Sequence, residues 1–191
     1  DEERTEITQA LAPSKSDLFE PTPPNPIPPS TARGTCWGQT KDNRVDSEHF
    51  SVQWDDGVST QANAEAFLES LEESYEIEIN ELGWKKPRGS TVPGAAGGSY
   101  QMLVEIEDLG GGAGAYTTVE MCNGEYRAKV VASRGSFSVG DWYKTMACHE
   151  LHHAIQFAYG FRHEFWWWEA SATWVENLVY PSLNDWSNAL Y

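Results

Sequence analysis

The chain has 191 residues, 40% of them hydrophobic, with nine tryptophans; that length suits one domain with room for a tail, able to bury a core without disulfides or metal merely to stay folded. Thirteen basic residues against 29 acidic ones leave a net charge of −16. Such a surface argues against nucleic acid and anionic membranes as partners, since both are bound through Lys and Arg on phosphate, and favours solubility or cations such as calcium.

The N-terminal segment differs from the rest. Six prolines fall between Pro21 and Pro29, too dense for a helix or central strand and suited to extended polyproline II. Residues 1–35 are therefore expected to be an arm, a linker or a pro-segment over the active site, with 36–191 as the folded domain. The chain starts at Asp1, and a start without Met is expected of a mature or trimmed product. No window approaches the roughly 20 apolar residues of a membrane span. Three cysteines, Cys36, Cys122 and Cys148, make no disulfide framework. Cys148 falls on a predicted buried helix, where a free thiol behaves as a small hydrophobe. That leaves Cys36 and Cys122, both beside glycine-bearing loop sequence, as the expected pair in an extracytoplasmic protein. The other reading of Cys36 is a thiolate that holds a zinc site latent.

Regular patterning begins near residue 46. Phe50, Val52 and Trp54 alternate with polar residues across 49–54 and predict a strand with one buried face. Residues 60–82 predict a helix: Ala64, Phe67, Leu68, Leu71, Tyr75, Ile79 and Leu82 recur at three- and four-residue steps, and Gly83 then Pro87 stop it. Strands are predicted at 100–107, with Met102, Val104 and Ile106 on one face, and at 126–132. A glycine-rich stretch, 109–116, lies between them. No Lys followed by Ser or Thr comes after the glycines, and strand-like sequence at 116–120 follows instead of a helix. Both observations argue against a phosphate-binding loop; a flexible turn or a substrate-facing edge is expected. Strands first and helices later predict an α+β domain in which one face of a twisted sheet supports two long helices.

The chemistry lies in the second half. Met146, Cys148, Leu151, Ala154, Ile155 and Ala158 space a buried helix face across 142–160, and Gly160 is its stop. Within it stands His149-Glu150-Leu151-His152-His153, a match to His-Glu-x-x-His. Residues four apart project from one helix face about 5–6 Å apart, and two neutral imidazoles so placed can bind one zinc ion at roughly 2.0–2.1 Å each. Glu150 then points toward the water held by that metal, as general base. A Glu and three His on an otherwise apolar helix would be costly to desolvate without a partner, and zinc supplies one. His152 sits about 100° round the helix from the pair and is expected at the surface or in packing.

A metzincin would continue with Gly at position 156 and His at position 159; Gln156 and Tyr159 exclude that class. Downstream, Glu169, Ala172, Thr173 and Glu176 share one helical face. Ala170, Trp174 and Val175 are placed to pack on the core, and Trp166, Trp167 and Trp168 to pack at the helix entry. Glu169 opens this second helix and can bring a carboxylate to a metal held by the first. His163, in the connection, is the other candidate for third ligand.

His149-Glu150 and His153 followed by Glu169-Ala170-Ser171-Ala172 resemble the gluzincin arrangement, in which a "glutamate helix" gives the third ligand. More closely, HisGluLeuHisHisAlaIleGln with TrpTrpGluAlaSerAlaThrTrpValGluAsn and TyrPro resembles a family of HExxH proteins of myxobacteria and related bacteria described as secreted metalloproteases. The similar stretch runs from about His49 to Tyr191. The resemblance implies a zincin-like fold of sheet, backing helix, active-site helix and glutamate helix, with one catalytic zinc, endopeptidase chemistry and export. It also implies an upper-rim strand beside the cleft, which residues 114–120 could supply. One departure stands out: thermolysin-like gluzincins place an Asp, as partner to a ligand His, where this chain has Thr173. That role is then weaker, or passes to Glu176 or a backbone carbonyl.

A donor to the tetrahedral intermediate is also expected, with Tyr180, Tyr116 and His163 as candidates. The expected function is zinc-dependent hydrolysis of a protein or peptide substrate by a secreted monomer, with calcium as a further cation. The alternative is a catalytically silent zinc-binding domain or an aromatic-rich extracellular binding module. Glu150 favours the enzyme, because a structural metal site has no use for a base beside an open coordination position.

Overall fold

The computed structural model describes residues 41–87, 101–110, 114–122, 125–160 and 165–183. The Pro-rich segment, Cys36, His163 and the side chain of Cys122 lie outside the described residues, and with them the expected arm, the disulfide and one candidate ligand.

Five strands form one mixed sheet in the order β1-β2-β3-β5-β4. β1 (Asn43–Asp46) and β2 (Phe50–Trp54) are antiparallel, with Val45 opposite Val52. β3 (Met102–Glu107) runs parallel to both β2 and β5 (Glu125–Ser133), and β4 (Ala115–Cys122) pairs antiparallel with β5 at the sheet edge. β1 has no counterpart in the sequence reading: in AsnArgValAsp only Val45 is apolar, so a four-residue strand carries no periodicity to detect.

A parallel β2–β3 pair needs a crossover, and helix α1 (Gln61–Tyr75) lies within it. The Thr60 hydroxyl accepts from the Asn63 backbone N–H at 3.2 Å and caps its first turn. Ala64, Phe67, Leu68, Leu71 and Tyr75 are buried as the spacing requires. The end differs from the expectation. From Glu76 to Glu81 the helix widens into a π-helical turn, closing at Gly83 with φ of +72°. The i→i+5 bonding carries more residues per turn, so Glu78 becomes the buried residue, while Ile79 and Leu82 are only half-buried.

Helix α2 (Trp142–Tyr159) ends at Gly160, whose φ of +123° suits glycine, and α3 (Phe165–Val179) follows. One face of the sheet carries Phe50, Val52, Trp54, Met102, Val104, Ile106, Ala128, Val130 and Ala132 against Phe67 and Leu71 of α1 and Leu151 and Ile155 of α2. Two long helices thus lie on one sheet face, but they are α1 and α2 rather than the two helices of the second half, and the architecture is mixed α+β. α3 packs on α2 rather than on the sheet, through a smaller cluster of Cys148, Val175, Val179 and Tyr180.

β2 departs from the expectation of one buried face, since Ser51 and Gln53 are buried as well. Interior strands of a parallel pairing are covered on both sides, and here the second face is polar but partnered. Lys129 Nζ lies 2.6 Å from Glu105, and Gln53 bonds the Ser51 hydroxyl and the Lys41 backbone N–H. Among the described residues no helix is long and apolar enough to cross a membrane.

Candidate metal centre

Four residues is just over one turn of α2, so His149 and His153 stand on one face, with their Nε2 atoms 3.0 Å apart. α3 crosses that face. Its Glu169 places Oε2 at 3.2 Å from His149 Nε2 and Oε1 at 3.4 Å from His153 Nε2. The three side chains form the one group of potential metal ligands among the described residues whose donor atoms all lie close together.

Both rings are oriented from behind. His149 Nδ1–H donates to Glu176 Oε1 at 2.5 Å, and His153 Nδ1–H donates to Gln156 Oε1 at 2.7 Å. With the protons on Nδ1, both Nε2 atoms turn lone pairs toward the Glu169 carboxylate. Three acceptors therefore converge with no donor among them, an arrangement that a proton or a cation must satisfy. For zinc bonds of about 2.0–2.1 Å, tetrahedral ligands stand about 3.3–3.4 Å apart. The Nε2–Nε2 separation of 3.0 Å and the 3.2 Å from His149 Nε2 to Glu169 Oε2 lie near that edge, and the second carboxylate oxygen, Oε1, stands 3.4 Å from His153 Nε2. The histidine side chains are 18% and 11% exposed and that of Glu169 is 62% exposed, so the cluster is held on the protein side and open toward solvent.

Glu150 lies one residue round from His149, toward β4. Its Oε2 is 2.6 Å from the Thr117 hydroxyl, which also reaches the Glu150 carbonyl at 2.8 Å. Burial raises the Glu150 pKa; the Thr117 hydrogen bond and the two histidines oppose this, Glu169 adds to it, and the net direction is upward. Burial lowers the pKa of His149, but the hydrogen bond and charge of Glu176, with the charges of Glu150 and Glu169, outweigh it and hold the value raised. A proton on His149 competes with any metal. Uptake of any divalent metal at these side chains is therefore expected to weaken as pH falls below that raised pKa, by about tenfold per pH unit for each proton displaced. Competition titrations with a chromogenic chelator at several pH values measure it.

The departure at Thr173 is resolved by Glu176, one turn further along the same face, which takes the histidine-orienting bond. Gln156, which stands where a metzincin would carry Gly, has a role of its own. Its amide N–H bonds the Trp168 carbonyl at 3.1 Å and the Ser171 hydroxyl at 2.9 Å, tying His153 to the first turn of α3. Its position three residues after His153, on the same helix side, was the available signal. Thr117 had no such signal, because its contact with Glu150 spans 33 residues.

Other expectations need correction. Tyr180 is buried, and its hydroxyl donates to the Ser70 carbonyl of α1 at 3.2 Å, on the Cys148 side of α2 rather than beside the paired histidines. Tyr116 alternates with Thr117 on β4, so it falls on the other face of the sheet, where burial and the charges of Glu107 and Glu105 raise its pKa. Ala170 and Trp174 are exposed, as are Trp166 and Trp167, at 68% and 58%. The inward side of α3 is set by Ala172, Val175 and Val179, and at 100° per residue those aromatics point away from it. Trp168 alone of the three turns inward, edge-on to Phe157 at 5.0 Å and 6.4 Å from the His153 ring. Of the two alternatives for His152, surface or packing, the structure takes packing: the ring is buried, and burial with the charges of His153 and His149 lowers its pKa to about 3.

No family model, curated protein or solved structure matches the chain.

Proposed function

We propose that the protein is a zinc-dependent peptidase with a zincin-like catalytic domain. His149, His153 and Glu169 hold the ion and Glu150 acts as general base. The observation that supports this reading is the convergence of two imidazole Nε2 atoms and the Glu169 carboxylate, each histidine within 3.2 to 3.4 Å of a carboxylate oxygen, with a raised-pKa carboxyl at their side. Zinc, when bound, supplies Lewis-acid polarisation of a carbonyl and acidification of water.

The protein residues do the rest. Glu150 takes the proton of the attacking water on a carboxylate oxygen and delivers it to the leaving amine nitrogen. Thr117 fixes the Glu150 carboxylate so that this transfer needs no reorientation. Glu176 and Gln156 keep both ligand rings in the tautomer that leaves Nε2 free for the ion. β4, the edge strand that carries Thr117, offers backbone groups to an extended peptide laid beside the base. The net charge of −16 favours substrates that are not themselves strongly acidic.

Metal analysis of the purified chain is expected to give one zinc per molecule. Casein hydrolysis should stop with a chelator and return on addition of zinc. A pure, folded chain that takes up no zinc overturns the reading.

A further inference from the structure

α2 carries two ladders of polar side chains. His149 and His153 form the first. Cys148 and His152, each one residue earlier, form the second about 100° round the helix. The second ladder meets the π-helical turn that extends α1. There Glu78, with no exposed surface, sets Oε1 3.7 Å from Cys148 Sγ and Oε2 3.0 Å from His152 Nδ1. The Trp84 ring meets the His152 ring edge-on, with centroids 4.8 Å apart. None of these groups takes part in the hydrolysis proposed above. A carboxyl in so dry a place is costly unless bonded, and burial pushes that of Glu78 well above its ordinary range. A leucine would fill the position more cheaply. π-helical turns, moreover, concentrate at functional sites.

We propose that Glu78 is a positioning residue for the metal centre: by bonding Cys148 and His152 together it fixes the rotation of α2 about its axis, and so the aim of His149 and His153. The magnitudes make such a clamp matter. An imidazole Nε2 stands about 7 Å from the helix axis, so a rotation of about 5° moves it about 0.6 Å, three times the about 0.2 Å within which metal–ligand distances are held. Apolar packing alone, through Leu151 and Ile155, is non-directional and resists a small roll poorly. Two hydrogen bonds four residues apart, on the neighbouring stripe, resist it directly.

The inference rests on the zinc reading, and three full-length variants test it by zinc-competition titration and by the visible spectrum of the cobalt-substituted protein. Glu78→Gln keeps one donor and one acceptor in the same shape, and should hold zinc within about threefold of the parent with an unchanged cobalt spectrum. Glu78→Met keeps the volume but neither bond; zinc affinity should fall about tenfold or more, and the cobalt bands should shift or broaden. Because Glu78→Met leaves His152 without its partner and can cost stability, the double variant E78M/H152F removes both of these groups and leaves unbonded to position 78 only the weak thiol donor of Cys148, which a buried site tolerates as a small hydrophobe. It should be folded by circular dichroism yet still bind zinc weakly. A folded E78M/H152F with parental zinc affinity and cobalt spectrum overturns the clamp, as does a Glu78→Gln variant as impaired as Glu78→Met. A parent chain that binds no zinc overturns the metal reading itself, a result separate from either.

Discussion

Glu150→Gln is expected to leave one zinc per chain while cutting chelator-sensitive peptide hydrolysis by about 10²–10⁴-fold, the range associated with loss of a positioned proton-transfer group. The amide has the shape of the carboxylate and can keep the hydrogen bond to Thr117, so the local fold should survive. It cannot take a proton from water at any working pH. The effect should appear in kcat, with KM little changed, because Glu150 acts on the transition state rather than on substrate binding. Steady-state kinetics on a quenched-fluorescence peptide, with metal content measured on the same preparation, separates the two terms. Hydrolysis that persists at the parental rate would mean that another group moves the proton. Loss of zinc together with activity would mean that Glu150 is a ligand rather than a base.

The parts of this site that could be read in the sequence are those encoded by short spacing on one helix. His149 and His153 at four residues, Glu150 beside them, and Glu169 and Glu176 seven apart on the next helix all follow from 100° per residue. The buried stripe of α1 and the strands β2, β3 and β5 were legible for the same reason: their apolar residues recur at the period of the element. What escaped depends on contacts between distant segments. Thr117 meets Glu150 only because β4 folds to the sheet edge nearest α2. Glu78 meets His152 across 74 residues, through a π-helical turn that the three- and four-residue pattern of α1 gives no reason to expect. For the tryptophans of α3, size and apolarity do not decide burial. On α3, position relative to Ala172, Val175 and Val179 decides which ring turns inward, and only Trp168 does so.

Glu176→Ala is expected to lower zinc affinity about 10–100-fold, the usual cost of removing the partner behind a metal-binding histidine, while Thr173→Ala changes it by less than about threefold. The contrast follows from the 2.5 Å bond from His149 Nδ1–H to Glu176, the hydrogen bond that Nδ1 makes among the described residues. Glu176 has a second, opposing effect that makes the prediction sharper. By hydrogen bond and charge it is the main influence raising the His149 pKa against the lowering effect of burial. Its removal should therefore lower that pKa, and the pH at which protons begin to displace zinc should move down. Two things must then change together in Glu176→Ala: weaker binding where His149 is already neutral, and a fall-off of binding that sets in at lower pH than in the parent. A variant that weakened the site by general loosening would show the first without the second. If Thr173→Ala gave the larger loss, the ligand histidine would be oriented through Thr173 after all, and the geometry around Glu176 would have been assigned the wrong task.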